Sequence, residues 1–180
     1  MQVFNTLGRR KEQLTPRRPG EISMYVCGAT VQSEPHLGHG RNAVAFDAIR
    51  RYLEWRGYQV TYVRNITDVE DKIIAAAIEQ GIPALELAGI MAQRFGDAYA
   101  ALGVKTPTIE PRATDHIPQM VQLIEKLIEE DLAYRAGGDV YFAVRSLPGY
   151  GKLSGRHLDD LLAGARVEPG EHKRDPLDFA

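Results

Sequence analysis

Residues 21–64 have the sequence EISMYVCGATVQSEPHLGHGRNAVAFDAIRRYLEWRGYQVTYVR. The apolar run 21–27 stops at Gly28, which is the pattern of a buried strand that ends in a turn. Apolar residues then recur at three- and four-residue steps over residues 38–55 and predict an amphipathic helix, which Gly57 would end. Residues 58–64 are rich in β-branched and aromatic side chains and predict a second strand. This order predicts an α/β fold built on a right-handed βαβ unit with a parallel sheet.

Two loops are candidates for ligand binding, because ligands bind parallel sheets outside the carboxyl ends of the strands. They follow Cys27 and Arg64. In the first loop Gly38 lies between His36 and His39, so both imidazoles can lie on one side of the first helical turn. Unpaired N–H groups at a helix N-terminus carry partial positive charge, and each neutral imidazole can donate one hydrogen bond to a phosphate. The loop therefore predicts an anion site, although a lone histidine here is more often a cap and a lone cysteine a small buried residue.

The composition is that of an ordinary globular protein and excludes disordered, collagen-like and disulfide-rich chains. The chain has 180 residues, is 44% hydrophobic and 26% charged, and carries a formal charge of -2. This overall charge attracts neither nucleic acid nor an anionic membrane, so any anion site must be local. A single cysteine without a signal-peptide pattern is typical of the reducing cytoplasm. No apolar run approaches the roughly 20 residues that span a bilayer, so no membrane association is expected.

The rest of the chain predicts an irregular arm and several packing elements. Residues 1–20 are basic and form the arm. Thr67 and Glu70 have the spacing of a capping box, which would open a helix through about Glu79. The remaining periodicities predict two packing helices, a half-buried strand and a short helix, at residues 84–102, 116–132, 139–144 and 157–163.

Several motifs occur in the collinear order of one known family. His36-Leu37-Gly38-His39 resembles the HIGH signature of class I aminoacyl-tRNA synthetases. The flanking motifs are similar to the N-terminal part of the cysteinyl-tRNA synthetases: MYVCG at residues 24–28, YVRNITDVEDKI at 62–73, GARV at 164–167 and KRDPLDF at 173–179. The resemblance implies the first half of a Rossmann-like parallel-sheet nucleotide-binding domain in residues 1–110. It also implies an α+β connecting insertion in residues 111–180, which stops before the second half of the domain.

The resemblance implies an ATP-dependent ligase that joins cysteine to AMP and then transfers the cysteine to tRNA-Cys. His36 and His39 would be the catalytic residues and, together with Gly28, Thr30 and Gly38, would bind ATP, with Mg²⁺ on the pyrophosphate. No protein nucleophile is needed because the substrate carboxylate attacks the α-phosphate. Catalysis therefore depends on positioning and on stabilising charge.

Two residues are implied to hold the cysteine substrate. Cys27 would ligate a Zn²⁺ ion, which binds a thiolate much better than a hydroxyl. In the family, the other zinc ligands, the lysine-rich loop that closes over ATP and the anticodon-binding domain lie beyond the stretch at which this chain stops. Thr67 would face the bound amino acid, and its capping role is an equal alternative.

A half domain exposes the edge of its sheet, so we expect the chain to self-associate. It should bind tRNA weakly, retain zinc poorly and charge little tRNA. Two alternative functions stay open. One is a ligase that uses cysteinyl-adenylate to acylate a glucosaminyl-inositol amine in thiol biosynthesis. The other is a non-catalytic nucleotide-binding or interaction module.

Overall fold

The computed structural model describes residues 1–158 and 172–180. They form two compact units, a central unit (Pro16–Ile117) and a terminal unit (Met1–Thr15 with Pro118–Ala180). Residues 159–163 of the predicted short helix lie outside the described residues, and the division of the chain into domains at residue 110 stays a prediction. The helices and strands, in chain order, are β1 (Gln2–Asn5), β2 (Arg10–Gln13), β3 (Glu21–Val26), α1 (Leu37–Trp55), β4 (Gln59–Arg64), α2 (Asp71–Gln80), α3 (Ala84–Ala101), α4 (Ile117–Glu129), β5 (Ala133–Ala136) and β6 (Asp139–Phe142).

The central unit contains the predicted βαβ arrangement. β3 and β4 pair in parallel with Val26 opposite Arg64, and α1 connects them. A parallel bridge between Val63 and Ile109 adds a further segment beside β4. Gly57 follows α1 at a φ of +88°, in the left-handed region that glycine adopts without strain. The two strands therefore end at one edge of the sheet, and the loops after them start side by side.

β3 differs from the sequence prediction in its burial. The run was expected to be a buried strand, but its side chains alternate between the two faces, and only Val26 is buried. Glu21, Ser23 and Tyr25 are exposed. The strand is therefore half buried, because the described part of the chain covers only one of its faces.

The hydrophobic core of the central unit lies next to the candidate loops. It combines α2 and α3 with one residue of the first loop, and its buried members are Val31, Ile73, Ala77, Leu87, Ala88, Met91, Ala92 and Phe95. The prediction that residues 84–102 form a packing helix is thus confirmed. Since loop and helices share this core, the position of the loop depends on how α3 packs.

The predicted capping box is wrong. α2 begins at Asp71, and its N-cap residue, Glu70, makes no side-chain capping hydrogen bond. Thr67 instead has extended backbone and forms a parallel bridge with Thr30. The pairing of the two loops therefore competes with the helix for Thr67, and the N-cap lies three residues later, at Glu70.

The terminal unit corrects two further predictions. Residues 1–20 are not an irregular arm, since β1 and β2 form an antiparallel hairpin with Asn5 opposite Arg10. Its pattern was hidden because neither strand has a buried residue. α4 has the predicted helical span but buries none of its residues within the described chain. β5 and β6 form a second antiparallel hairpin, of which only β6 was predicted.

No single helix in the described ranges is long and apolar enough to cross a membrane. α2 and α3 meet the length and composition criteria only as a pair bent by 100°, and both contribute buried residues to the core.

Candidate functional site

The two loops that follow β3 and β4 are joined to each other by hydrogen bonds. The Val31 N–H donates to the Thr67 carbonyl at 3.1 Å, and the Thr67 N–H donates to the Ala29 carbonyl at 3.1 Å. The Gly28 N–H donates to Oδ1 of Asn65 at 2.8 Å. The loops therefore form one continuous surface at the carboxyl edge of the sheet, where parallel sheets bind ligands.

Gly28 is the point of closest approach between these loops. A Cβ atom at this position would lie 1.6 Å from the backbone oxygen of Asn65, far inside van der Waals contact. Only glycine allows the loops to meet at this distance. The residue thus shapes the site through its lack of a side chain.

His36 and His39 cap the N-terminus of α1 reciprocally. His36 is the N-cap residue, and its Nδ1 accepts a hydrogen bond from the Gly38 N–H at 3.1 Å. Nδ1 of His39 accepts from the His36 N–H at 3.2 Å. Because both Nδ1 atoms act as acceptors, each neutral ring carries its proton on Nε2. The pair therefore offers two Nε2–H donors.

The two imidazoles are stacked, with ring centroids 3.8 Å apart and an interplanar angle of 27°. The edge-to-face contact of His39 with Phe95, at 4.8 Å between centroids, fixes the pair against the core. Desolvation lowers the pKa of the His39 imidazole below its ordinary value, and the nearby His36 lowers it further. His39 is therefore held in its neutral form at physiological pH.

The expectation that free helix amides make the anion site needs correction. The Gly38 N–H is bound by the His36 ring, and the His39 N–H donates to the His36 carbonyl at 2.9 Å. Two first-turn donors are thus already used within the loop. The imidazoles have taken over the capping role, so their Nε2–H groups are available as donors in place of these two amides.

A cavity of about 510 Å³ lies over these loops. Six of the residues predicted from the sequence line it, namely Cys27, Gly28, Thr30, His36, Gly38 and His39. Sequence reasoning did not assign the others, which are Ala29, Gln32, Ser33, Asn42, Arg64, Lys72 and Tyr99. The charged side chains among the described lining residues are cationic, so the cavity favours an anionic ligand.

Arg64 and Tyr99 are the most buried of the charged and aromatic residues that were not predicted. Arg64 could have been found from the sequence, because it ends a predicted strand at the edge where ligands bind. Tyr99 comes from α3, and nothing in its local sequence distinguishes it from a core aromatic residue. Its position against Arg64, with 4.4 Å from the guanidinium carbon to the ring centroid, exists only in the folded chain.

Thr67 lies beside the cavity, paired through its backbone with Thr30. Its hydroxyl oxygen accepts a hydrogen bond from Nδ2 of Asn65 at 3.3 Å, so its own proton is available to a further acceptor. The capping alternative for this residue is removed by the position of α2.

Cys27 is exposed at the mouth of the cavity. Among residues 1–158 and 172–180, no group of three or more His, Cys, Asp or Glu side chains is placed to hold a metal ion. A protein zinc site needs about three such ligands. The described residues therefore do not make a complete zinc site, and Cys27 could supply only one ligand to it.

The sequence of the chain matches one family model and several curated proteins. A family model described as tRNA synthetases class I (C) catalytic domain matches residues 13–180. The cysteine–tRNA ligase of Desulforudis audaxviator is 54% identical over 180 residues, and that of Desulfitobacterium hafniense is 53% identical over 181 residues. Both alignments cover 100% of this chain but 38% of the relative. The chain thus spans well under half the length of these curated relatives.

Solved structures confirm the α/β fold class. LeuRS of Agrobacterium radiobacter K84, in a ternary complex with tRNA and LeuAMS, has a TM-score of 0.58 at 21% identity, over 67% of this chain and 16% of that one. Methionyl-tRNA synthetase of Mycobacterium tuberculosis, in complex with methionyl-adenylate, has a TM-score of 0.57 at 25% identity, over 68% of this chain and 25% of that one.

One family model thus covers residues 13–180, and two relatives at 53% and 54% identity align with the whole chain. With the two strands, the connecting helix and the histidine pair in the expected places, the chain belongs to the family of tRNA synthetases class I (C) catalytic domains.

Proposed function

We propose that the chain is the nucleotide-binding front part of a cysteine–tRNA ligase. Such an enzyme activates cysteine with ATP to cysteinyl-adenylate and transfers the cysteine to tRNA-Cys. The curated relatives quoted above carry this name, and this chain aligns with them along its whole length. Residues 1–110 would be the first half of the catalytic domain, and residues 111–180 would be the connecting insertion.

The reciprocal capping of His36 and His39 is the observation that carries this proposal. It directs both ring protons to Nε2 and keeps the two imidazoles stacked at 3.8 Å. Two imidazole N–H donors on residues that line a cavity with cationic lining residues fit the oxygens of a triphosphate. Capping engages only the Nδ1 atom of each ring, and both residues line the cavity, so their Nε2–H groups can donate to a ligand there.

The chemistry assigned to this site is adenylation. A carboxylate oxygen of cysteine attacks the α-phosphorus of ATP, a new carboxyl–phosphate bond forms, and the bond to pyrophosphate breaks with its electron pair leaving on pyrophosphate. Negative charge grows on the α-phosphoryl and leaving oxygens. The Nε2–H groups of His36 and His39 would donate to those oxygens, and one such donor is worth roughly 3 kcal/mol in the transition state.

The remaining contacts follow from the lining of the cavity. Gly28 and Thr30 would contact ATP, which enters as its Mg²⁺ complex. Gly38 carries no side chain, and an added Cβ would lie 2.9 Å from Cε1 of His36, so it gives the His36 ring room over the helix end. The free proton of the Thr67 hydroxyl would donate to the bound amino acid.

The described residues do not complete a site for zinc. Cys27 would provide one thiolate ligand in the longer enzyme, and no step of the reaction above passes through the metal. The 180-residue chain should therefore retain zinc poorly. The same proposal has three further parts. The enzyme would lie in the cytoplasm, and this part of it would self-associate through the sheet edge and bind tRNA weakly.

The test is a calorimetric titration of the chain with Mg²⁺–ATP, comparing the natural sequence with His39→Asn. Asparagine carries Oδ1 where the imidazole carries Nδ1, so it can still accept from the His36 N–H, while its shorter side chain cannot place an N–H donor at the position of Nε2. We expect an affinity loss of about tenfold or more in a variant that stays folded by circular dichroism. Equal affinities of the two proteins would contradict the proposal.

The acceptor is tested in the longer enzyme. Cysteine-dependent charging of tRNA-Cys, without acylation of a glucosaminyl-inositol amine, would support the ligase. Acylation of the amino sugar alone would overturn it in favour of the thiol-biosynthesis enzyme. Binding of ATP without cysteine activation would favour the non-catalytic module.

A further inference from the structure

Arg64 is a buried cation with one guanidinium nitrogen that is unpaired in the part of the chain that the structure describes. It is the last residue of β4, and only 7% of its surface is exposed. Its Nη1 atom is buried and has no hydrogen-bond partner among residues 1–158 and 172–180. Buried polar groups in native proteins are nearly always hydrogen-bonded, so an unpaired guanidinium nitrogen calls for an explanation.

The rest of the guanidinium group is held in place. Nη2 donates to Oε1 of Glu110 at 3.2 Å, and the guanidinium carbon lies 4.4 Å from the centroid of the Tyr99 ring. Burial raises the pKa of the Tyr62 phenol, and the charge of Arg64 offsets part of that rise. The side chain is thus fixed by a carboxylate on one side and a ring face on the other, and Nη1 is the nitrogen left unpaired among the described residues.

Arg64, the residue that carries this unpaired atom, is one of the residues that line the cavity of the two histidines. Arg64 and Tyr99 line this cavity together with Cys27, His36 and His39. A buried charge with an unmet donor is costly in the free protein, and a ligand oxygen would remove that cost. A ligand that enters the cavity is therefore the natural partner for Nη1.

We propose that Nη1 of Arg64 binds an oxyanion of the substrate, supplied by the carboxylate of the amino acid or by a phosphate of the nucleotide. The choice of these two sources rests on the proposed function, and the assignment of Arg64 goes beyond it. Guanidinium is the side chain that best matches planar carboxylate and phosphate oxygens. It is also always charged, so binding would not need a proton at Arg64.

Four probes separate the two sources of the oxyanion. Cysteine carries a carboxylate that cysteamine lacks, and AMP carries a phosphate that adenosine lacks. Each is titrated calorimetrically into the natural chain and into Arg64→Gln. If Arg64 binds the carboxylate, the substitution weakens cysteine about tenfold or more and leaves cysteamine unchanged. If it binds the phosphate, the substitution lowers the affinity for AMP and leaves the affinity for adenosine unchanged.

Glu110→Gln is the matched control. This variant removes the carboxylate that shares the Arg64 guanidinium but keeps the guanidinium itself. An oxyanion-binding Arg64 should then bind the same acidic probe at least as tightly as in the natural chain. A merely structural Arg64–Glu110 pair predicts instead that Arg64→Gln and Glu110→Gln change binding alike. Arg64→Lys, which retains the charge, replaces Arg64→Gln if that variant does not fold by circular dichroism.

Several outcomes overturn the inference. The first two are that Arg64→Gln lowers the affinity for all four probes equally, or lowers it for none of them. The third is that cysteine and AMP do not bind the natural chain. The fourth is that Glu110→Gln lowers the affinities by the same amounts as Arg64→Gln. The test is separate from that of the proposed function, which depends on His39 and ATP. Loss of ATP binding in His39→Asn with unchanged probe binding in Arg64→Gln would uphold the first proposal and reject the second.

Discussion

Replacing His36 separates the structural and functional roles of the histidine pair. His36→Ala removes the acceptor for the Gly38 N–H, which is bound at 3.1 Å, but keeps the backbone N–H that donates to His39. One capping hydrogen bond is lost. The expected cost is about 1 kcal/mol in the free energy of unfolding, which lowers the melting temperature of a chain of this length by about 2–4 °C.

His36→Asn is the matched variant. Asparagine is a preferred N-cap residue, and its side-chain oxygen can accept from the same N–H group, so the melting temperature should return to within about 1 °C of the natural chain. Its side-chain amide is shorter than the imidazole, however, and cannot place an N–H donor at the position of the His36 Nε2–H. Affinity for Mg²⁺–ATP should fall by about tenfold to a hundredfold in both variants, the effect of losing one hydrogen bond to a charged group.

The two measurements are thermal unfolding followed by circular dichroism and calorimetric titration with Mg²⁺–ATP. The reasoning fails if His36→Asn binds ATP as tightly as the natural chain, since His36 would then be only a cap. It also fails if His36→Ala melts at the natural temperature, because the capping bond would then contribute nothing.

Three further predictions concern the elements that support the site. Gly28→Ala should destabilise the chain by about 1–3 kcal/mol, because its Cβ would meet the Asn65 carbonyl at 1.6 Å; an unchanged urea midpoint would count against the loop contact. Asp68→Ala should cost about 1–3 kcal/mol by the same assay, since buried Asp68 accepts from the Thr114 N–H at 3.0 Å and hydroxyl at 2.7 Å; a loss below about 0.5 kcal/mol would refute this. Because the pKa of His39 is lowered in the folded chain, the unfolded chain takes up a proton first as the pH drops, and the free energy of unfolding should fall from about pH 6.5 toward that lowered pKa. His39→Gln, which cannot titrate, should flatten this part of the profile of stability against pH. An equally steep profile in the variant would contradict this prediction.

The main elements of the central unit could be predicted from the sequence because their signals are local. The apolar steps over α1, the β-branched residues of β4 and the glycine after α1 each act within a few residues. The placement of His36 and His39 on one helical turn follows from their spacing alone. The structure confirms that placement and the parallel pairing of β3 with β4.

The sequence-based predictions are wrong where a residue had two available partners. Thr67 has the spacing of a helix cap, yet its backbone pairs with Thr30, which lies 37 positions earlier in the chain. The sequence pattern could not rank these two arrangements, because the energy of the loop pairing depends on both loops being brought together. The same holds for the free amides expected at α1, since the rings that occupy them fold back from within the loop.

By itself, then, the sequence determined the order of strand, helix and strand, the two loops at the carboxyl edge and the histidine pair, since periodicity and spacing act over short stretches of chain. Only the tertiary structure decided that Arg64 would be buried against Tyr99, which lies 35 positions later in the sequence. It also left Nη1 of Arg64 unpaired among the described residues. Burial and hydrogen-bond satisfaction are properties of residues brought together by folding, and no local pattern records them.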